Sequence, residues 1–287
     1  MPEGDTIYKA ARTLNTALSG KVVTRFESVL PKLMRVNDDT PIAGREILSV
    51  RSAGKWSVMG FSGDLFLLTH MLMNGSWHLY RSGEPWQRPR SGMRLAIETS
   101  DFVAVGFNVP IAEFHTQHSL ARRKGFNDLG PDVLAPDFDP NDAGRRMRQH
   151  PDQEVGDVLI DQRVMAGLGN VFKSEICFLC GVNPFSPVRL LTDEQIVCLT
   201  KTAQKLMRAN VQAPTPDGPI IFNDYRRTTG RSNPAERLWV YGRTNKACLR
   251  CGTRILMRPQ GRDARTTYWC PTCQPVHPAQ ATPIPSV

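Results

Sequence analysis

The sequence predicts an α+β chain of more than one domain, and three observations carry that prediction. An N-terminal helical stripe is followed, from residue 21 to about 107, by period-two patterning and short apolar runs. Beyond a Pro- and Asp-rich stretch at 130–142 the periodicity turns helical. Near the other end, Cys248-x-x-Cys251 and Cys270-x-x-Cys273 frame a spacer of hairpin length. With 287 residues the chain can bury two cores, and 40% hydrophobic with 22% charged residues is an ordinary globular composition.

The elements follow in order. Ile7, Ala11, Leu14 and Leu18 recur at spacings of four, three and four, which predicts a helix over 5–18 with Gly20 as its stop signal. Candidate strands are 22–26, 46–50, 56–59, 65–68, 94–97 and 102–105, punctuated by glycines, and such a series suggests a sandwich or a barrel. Helices are expected at 142–148, 155–160, 171–179 and 193–210, the last opening at Thr192-Asp193-Glu194-Gln195. Residues 211–238 read as a basic loop. The expected organisation is an N-terminal domain at 1–130, a linker at 131–142, a helical domain at 143–246, a cysteine module at 247–274 and a disordered tail at 275–287.

The chain carries a net charge of +9, with a pI near 9.4. The excess is concentrated: between Arg226 and Arg265 stand eleven basic residues against Glu236 and Asp263. That local excess equals the excess of the whole chain, so the positive field lies around the cysteine module and favours phosphate contact.

Eighteen residues separate Cys251 from Cys270, the spacing of a zinc ribbon. Four thiolates at Cys248, Cys251, Cys270 and Cys273 complete a tetrahedral shell and leave no position for water, so the expected metal is one structural zinc. Two redox pairs would require a surrounding βαβ pattern, which is missing. The ribbon strands are expected at 254–257 and 266–269, with Arg262 and Arg265 at or near their turn. The remaining Cys177, Cys180 and Cys198 lie in apolar helical sequence, and the set does not read as a disulfide framework. There is no apolar run of membrane-spanning length and no signal-peptide layout, so a reducing cytoplasmic compartment is expected. Gly167-Leu168-Gly169-Asn170 is a tight glycine turn into a helix, whose free amides can serve a phosphate or simply the fold.

Five pieces occur in one order: Pro2-Glu3-Gly4, Gly54-Lys55-Trp56, Asp161-Gln162 with Gly167-Leu168-Gly169-Asn170, Val240-Tyr241-Gly242-Arg243, and Tyr268-Trp269-Cys270-Pro271-Thr272-Cys273-Gln274. In them the chain resembles the formamidopyrimidine-DNA glycosylase and endonuclease VIII family nearly end to end, the tail excepted. The resemblance implies an N-terminal helix on a β-sandwich, then a helix-two-turn-helix domain with a zinc ribbon. It implies a monomeric enzyme of base excision repair, working at the nucleoid on damaged DNA, that excises a base and cuts the strand by β,δ-elimination.

Chemistry gives the pieces a reason. Once Met1 is removed, Pro2 presents a secondary amine whose pKa near ~8 leaves a useful neutral fraction at pH 7. Its attack on the anomeric carbon of deoxyribose yields an iminium, an electron sink for elimination. Glu3 can protonate the ring oxygen, and Lys55 can neutralise a phosphate or assist that protonation. A base inside a duplex must be flipped out, and the vacated space needs filling. By resemblance Leu72, Met73 and Asn74 fill it, with Met73 as the wedge, while Asn170 and Arg265 contact the flanking phosphates.

Two departures bear on the branch. Thr6 stands where many members carry glutamate, and residues 107–110 lack the arginine-phenylalanine intercalating pair of the purine-preferring branch. Pro2-Glu3-Gly4-Asp5-Thr6 is closer to the endonuclease VIII branch, which implies oxidised pyrimidines; the alternatives are a purine-preferring member or a DNA- or RNA-binding zinc protein without chemistry.

Overall fold

The computed structural model describes residues 2–212, 226–231 and 233–277. Much of the basic loop expected at 211–238 and the tail beyond 277 lie outside the described residues. The chain divides into two compact units, one built on residues 2–128 and the other on 129–210 with 226–277.

The first unit opens with α1 (Gly4–Leu18), whose predicted stripe of Ile7, Ala11, Leu14 and Leu18 is buried. Eight strands follow: β1 (Arg25–Ser28), β2 (Ile47–Ala53), β3 (Trp56–Phe61), β4 (Leu65–His70), β5 (Ser76–Arg81), β6 (Met93–Glu98), β7 (Phe102–Phe107) and β8 (Ile111–His115). They form two antiparallel four-stranded sheets, ordered β1-β6-β7-β5 and β2-β3-β4-β8, which resolves the choice between sandwich and barrel in favour of the sandwich. One core cluster collects Phe26, Trp77, Leu95 and Ile97 from the first sheet, Val50, Phe61 and Leu67 from the second, and the stripe of α1. Burial of each large apolar side chain there contributes roughly 1.5–3 kcal/mol.

Besides the short α3 (Gln117–Leu120), three elements of this unit were not expected from the sequence. In α2 (Pro31–Asp39), Pro31 sits in the first turn, where it lacks only an amide that has no helical partner, and Leu33 is the buried anchor. Strands β5 and β8 are the others; β5 carries four consecutive buried residues, so alternation, the usual mark of a strand, is absent from it.

The second unit holds α4 (Pro140–Arg148), α5 (Val155–Ile160), α6 (Asn170–Leu179) and α7 (Asp193–Gln212), with the short α3 (Gln117–Leu120) belonging to the first unit. Thr192 and Gln195 exchange hydrogen bonds at the start of α7, a reciprocal cap. The segment expected as a linker belongs instead to this unit's packing: Val133, Leu134 and Phe138 are buried and Asp132 bridges to Ala166. The ribbon strands are β9 (Leu256–Gln260) and β10 (Arg265–Trp269), paired antiparallel.

A further correction concerns the cysteines. Cys180, at the end of α6, and Cys198, in α7, are joined as a disulfide with their Cα atoms 5.9 Å apart, while Cys177 is free and buried. Spacing along the chain could not indicate this pair, because the approach of two helices creates it. Among the described residues no helix is long and apolar enough to cross a membrane.

Candidate nucleic-acid site

In the first unit, Glu3 is the N-cap of α1 and fully buried; its carbonyl accepts from Thr6 and Ile7, so the helix start holds it rigidly beside Pro2. Asp5 is buried, and its Oδ1 accepts from the Thr6 backbone amide at 2.8 Å and from the Thr6 hydroxyl at 3.4 Å. Thr6, at the position of the missing glutamate, thus stands against a carboxylate one residue earlier. Lys55 is half-buried in the β2–β3 turn, which Gly54 makes with φ 58, a left-handed value suited to glycine.

The β4–β5 connection projects the expected filler residues. Leu72 and Met73 are 45% and 61% exposed and Asn74 is also exposed, whereas Met71 and Gly75 at the turn's base are buried. Exposure of two large apolar side chains side by side on a tight turn costs apolar hydration, and a site that inserts them offsets the cost. The β7–β8 connection, by contrast, is only residues 108–110, with Val109 buried and Asn108 at φ 49. It offers no arginine or phenylalanine for intercalation.

Two histidines of this unit are held neutral. Burial, then the charges of Lys55 and Arg123, bring His70 down from 6.5 to about 4. Burial, then Arg88, bring His78 to about 4 as well. A histidine whose folded pKa lies below its unfolded value binds its proton first in the unfolded chain, so the stability present above pH 6.5 is lost as pH falls towards 4. The expected result is a progressive drop in unfolding free energy between pH 6.5 and 4.5, on the order of 2 kcal/mol per ring. Urea titrations at stepped pH measure it, and a flat profile through that window refutes the assignment.

In the second unit, residues 161–169 link α5 to α6. Gln162 braces this link: its Oε1 accepts from Gly167 N at 3.0 Å, and its Nε2 donates to the carbonyls of Ile160 and Leu168 at 2.7 and 3.0 Å. The helix is capped by Gly169, and the Asn170 side chain reaches across to the ribbon, donating from Nδ2 to the Thr266 carbonyl at 2.5 Å. Its Oδ1 is buried without a hydrogen-bond partner among the described residues. Arg265, next to Thr266, is half-exposed and paired with Asp263 at 3.1 Å.

The four ribbon sulfurs lie within 4.8 Å of one another, with Cys251–Cys270 at 3.4 Å and Cys248–Cys273 at 3.9 Å. A tetrahedral zinc with bonds near ~2.3 Å needs sulfurs about 3.8 Å apart, so the donor set fits. Two backbone amides support the thiolates, Arg250 N on Cys248 and Cys273 N on Cys270.

Sequence reasoning missed the residues that dock the ribbon on the helices. Lys173 is fully buried in α6 and donates to Thr267 Oγ1 at 2.6 Å; that hydroxyl donates to Gln260 Oε1 at 2.7 Å, and Gln260 Nε2 donates to Glu154 Oε2 at 2.8 Å. Glu175, also buried, accepts from the backbone amides of Trp239, Val240 and Tyr241 at 2.8–2.9 Å and from the Thr228 hydroxyl. Burial pushes its carboxyl up and these four donors pull it back. Gln274 accepts from Cys270 N and donates to Val182 O. A signal existed for the first two: Lys173 and Glu175 are the charged residues of a largely apolar helix, 170–179.

The formamidopyrimidine-DNA glycosylase N-terminal domain matches residues 1–109, and the formamidopyrimidine-DNA glycosylase H2TH domain matches residues 129–216. A probable endonuclease 8 2 of Streptomyces coelicolor is 39% identical over 277 residues, covering 96% of this chain and 94% of that protein. The chain belongs to the formamidopyrimidine-DNA glycosylase and endonuclease 8 family. Within this family it is also 35% identical to the DNA-(apurinic or apyrimidinic site) lyase Nei2 of Mycolicibacterium smegmatis, over 96% of this chain and 99% of that one. The Lactococcus lactis Fpg, solved with DNA containing an abasic site, shares the family fold with a TM-score of 0.78 at 20% identity, covering 96% of this chain and all of the other. Both units are therefore those of the family, and the sandwich and the helix-two-turn-helix carry its motifs.

Proposed function

We propose that this chain is a bifunctional DNA glycosylase and apurinic/apyrimidinic lyase that removes oxidised pyrimidines and acts on chromosomal DNA in the cytoplasm. The observation that carries the reading is family membership over 96% of the chain, with Pro2 and Glu3 at the head of α1. Pro2 nitrogen attacks C1′ of the flipped nucleotide; the bond to the base breaks and the base leaves with a proton. Glu3 protonates the sugar ring oxygen, the ring opens and a cationic iminium remains. Loss of a C2′ proton expels the 3′ phosphate, a second elimination expels the 5′ phosphate, and water releases the amine. Lys55 offsets phosphate charge beside the sugar. Leu72, Met73 and Asn74 occupy the vacated stack, and the short 108–110 turn supports the pyrimidine over the purine branch. The Cys180–Cys198 bridge is the feature that departs from a fully reduced compartment.

The four cysteines would hold one zinc, which supplies structure and no reacting group. Asn170 and Arg265 meet the phosphates flanking the lesion, Arg265 after leaving Asp263. Arg265→Ala is expected to weaken binding to every abasic duplex alike and to lower the salt slope by about 1. Anisotropy titrations at several salt concentrations measure this, and an unchanged slope removes the phosphate contact.

Borohydride reduction in the presence of an abasic duplex tests the reaction itself. A covalent protein–DNA adduct is the expected result. Tight binding with no adduct makes the chain a DNA-binding protein without chemistry.

A further inference from the structure

The β4–β5 turn is narrow and internally strained. Gly75 N donates to Met71 O at 2.8 Å and closes it, and Leu72 sits at φ 45. That left-handed conformation is unfavourable for an L-residue and persists only where the surroundings impose it. The imposing contact is local: the Leu72 backbone N–H donates to His70 Nδ1 at 3.1 Å. An accepting Nδ1 carries no proton, so the ring is neutral with its hydrogen on Nε2.

The ring is braced in turn. His70 stands edge-on to Trp56, centroids 4.7 Å apart and planes at 79°, and the two residues are register partners on β3 and β4. The Arg123 guanidinium covers Trp56 at 4.5 Å, and Trp56 Nε1 donates to Gly125 O at 3.3 Å. Arg123 is gripped by Glu113 at 3.0 and 3.3 Å. Lys55 and Arg123 are the cations facing the imidazole, and they disfavour a proton there. The lone pair that Leu72 needs is therefore available throughout the neutral range.

We propose that His70 is a positioning residue that pre-forms the 71–75 turn, so that Leu72 and Met73 are already aimed when a nucleotide leaves the stack. The proposal rests on the reading of this turn as the void filler. A turn without the brace is ordered anew at each encounter, and that cost falls on duplex substrate, where a stack must be filled. A single-stranded abasic site has no such stack.

Two substitutions separate the hydrogen bond from the packing. His70→Phe keeps an aromatic edge against Trp56 and removes the acceptor. His70→Asn loses the ring, yet its Oδ1 can accept from the amide two residues on. Each is assayed as the ratio of kcat/KM on a duplex with an oxidised pyrimidine to kcat/KM on a single-stranded abasic oligonucleotide. His70→Phe is expected to lower the ratio about tenfold, and His70→Asn to restore it to within about threefold of the parent. The opposite order overturns the proposal in favour of ring packing, and so does an unchanged ratio in both. Met73→Ala run alongside is expected to lower the same ratio. If it does not, the filler reading fails and this proposal with it; a normal Met73 effect with inert His70 variants sinks the His70 role alone. A parent protein that cleaves neither substrate refutes the proposed function instead.

Discussion

Protein in which residues are retained ahead of Pro2 is expected to form no borohydride-reducible adduct with abasic DNA, and Pro2→Thr to form far less of it than the parent. Strand cleavage falls by on the order of 10³ or more. The size follows from what the amine alone contributes. A blocked nitrogen cannot make the bond to C1′, and no other interaction stores electrons through the elimination. Threonine restores a primary amine but loses the ring constraint on the backbone next to Glu3, which is buried at the cap of α1. The two variants therefore differ in what they remove, and loss in both assigns the chemistry to the amine at its position. Mass spectrometry of the trapped species locates the link. An adduct that persists in both variants moves the nucleophile elsewhere, with the half-buried Lys55 amine the first to examine.

The second large effect is expected at the metal. Cys270→Ser, or exhaustive chelation, is expected to release zinc, melt the ribbon and lower affinity for an abasic duplex by about 100-fold at moderate salt. Apart from the metal, the ribbon is held by the polar contacts of Lys173, Gln260 and Gln274 and by a small apolar cluster. Its two strands have five residues each, and its apolar cluster is Phe178, Val240, Ile255 and the buried Cys248 and Cys270. A two-stranded hairpin of that size is marginal in water, whereas a four-thiolate zinc site contributes about 10 kcal/mol or more to folding. With the ribbon gone, Arg265 has no fixed place, and the phosphate contact proposed for it is expected to disappear. Metal analysis is expected to find about one zinc per parent chain. Full DNA affinity in metal-free Cys270→Ser would falsify the structural role of the ion.

Much of the first unit was legible because its signals are local. The stripe of α1 and the runs of β2, β3, β4, β6 and β7 were each visible within a few residues. The elements that escaped were atypical for their kind. PKLMRVNDD, the α2 sequence, has proline at one end and Asn-Asp-Asp at the other, with Leu33 as its only buried residue. SWHLYR, the β5 sequence, is buried at four successive positions and so lacks alternation. For the candidate site, Pro2, Glu3, Lys55, the turn at 72–74 and the cysteines could be named from motif order. Asn170 could be named too, but not its cross-contact to Thr266, which lies 96 residues away.

What the sequence determined by itself is whatever depends on spacing along the chain. Two CxxC pairs give a candidate metal-ligand set, and a helical stripe gives a buried face. Tertiary structure alone decided which polar groups are buried and what satisfies them. Lys173 meets Thr267 across 94 residues, Glu175 meets the 239–241 amides across 64–66, and Cys180 meets Cys198 between two helices. A buried charge is tolerable only with its partners in place, and those partners are brought by packing rather than by neighbourhood in the chain. His70 illustrates the boundary between the two. Its bond to Leu72 spans two residues, but the Trp56, Arg123 and Glu113 brace that orients the ring is assembled only when β3, β4, β8 and the 123–125 segment come together.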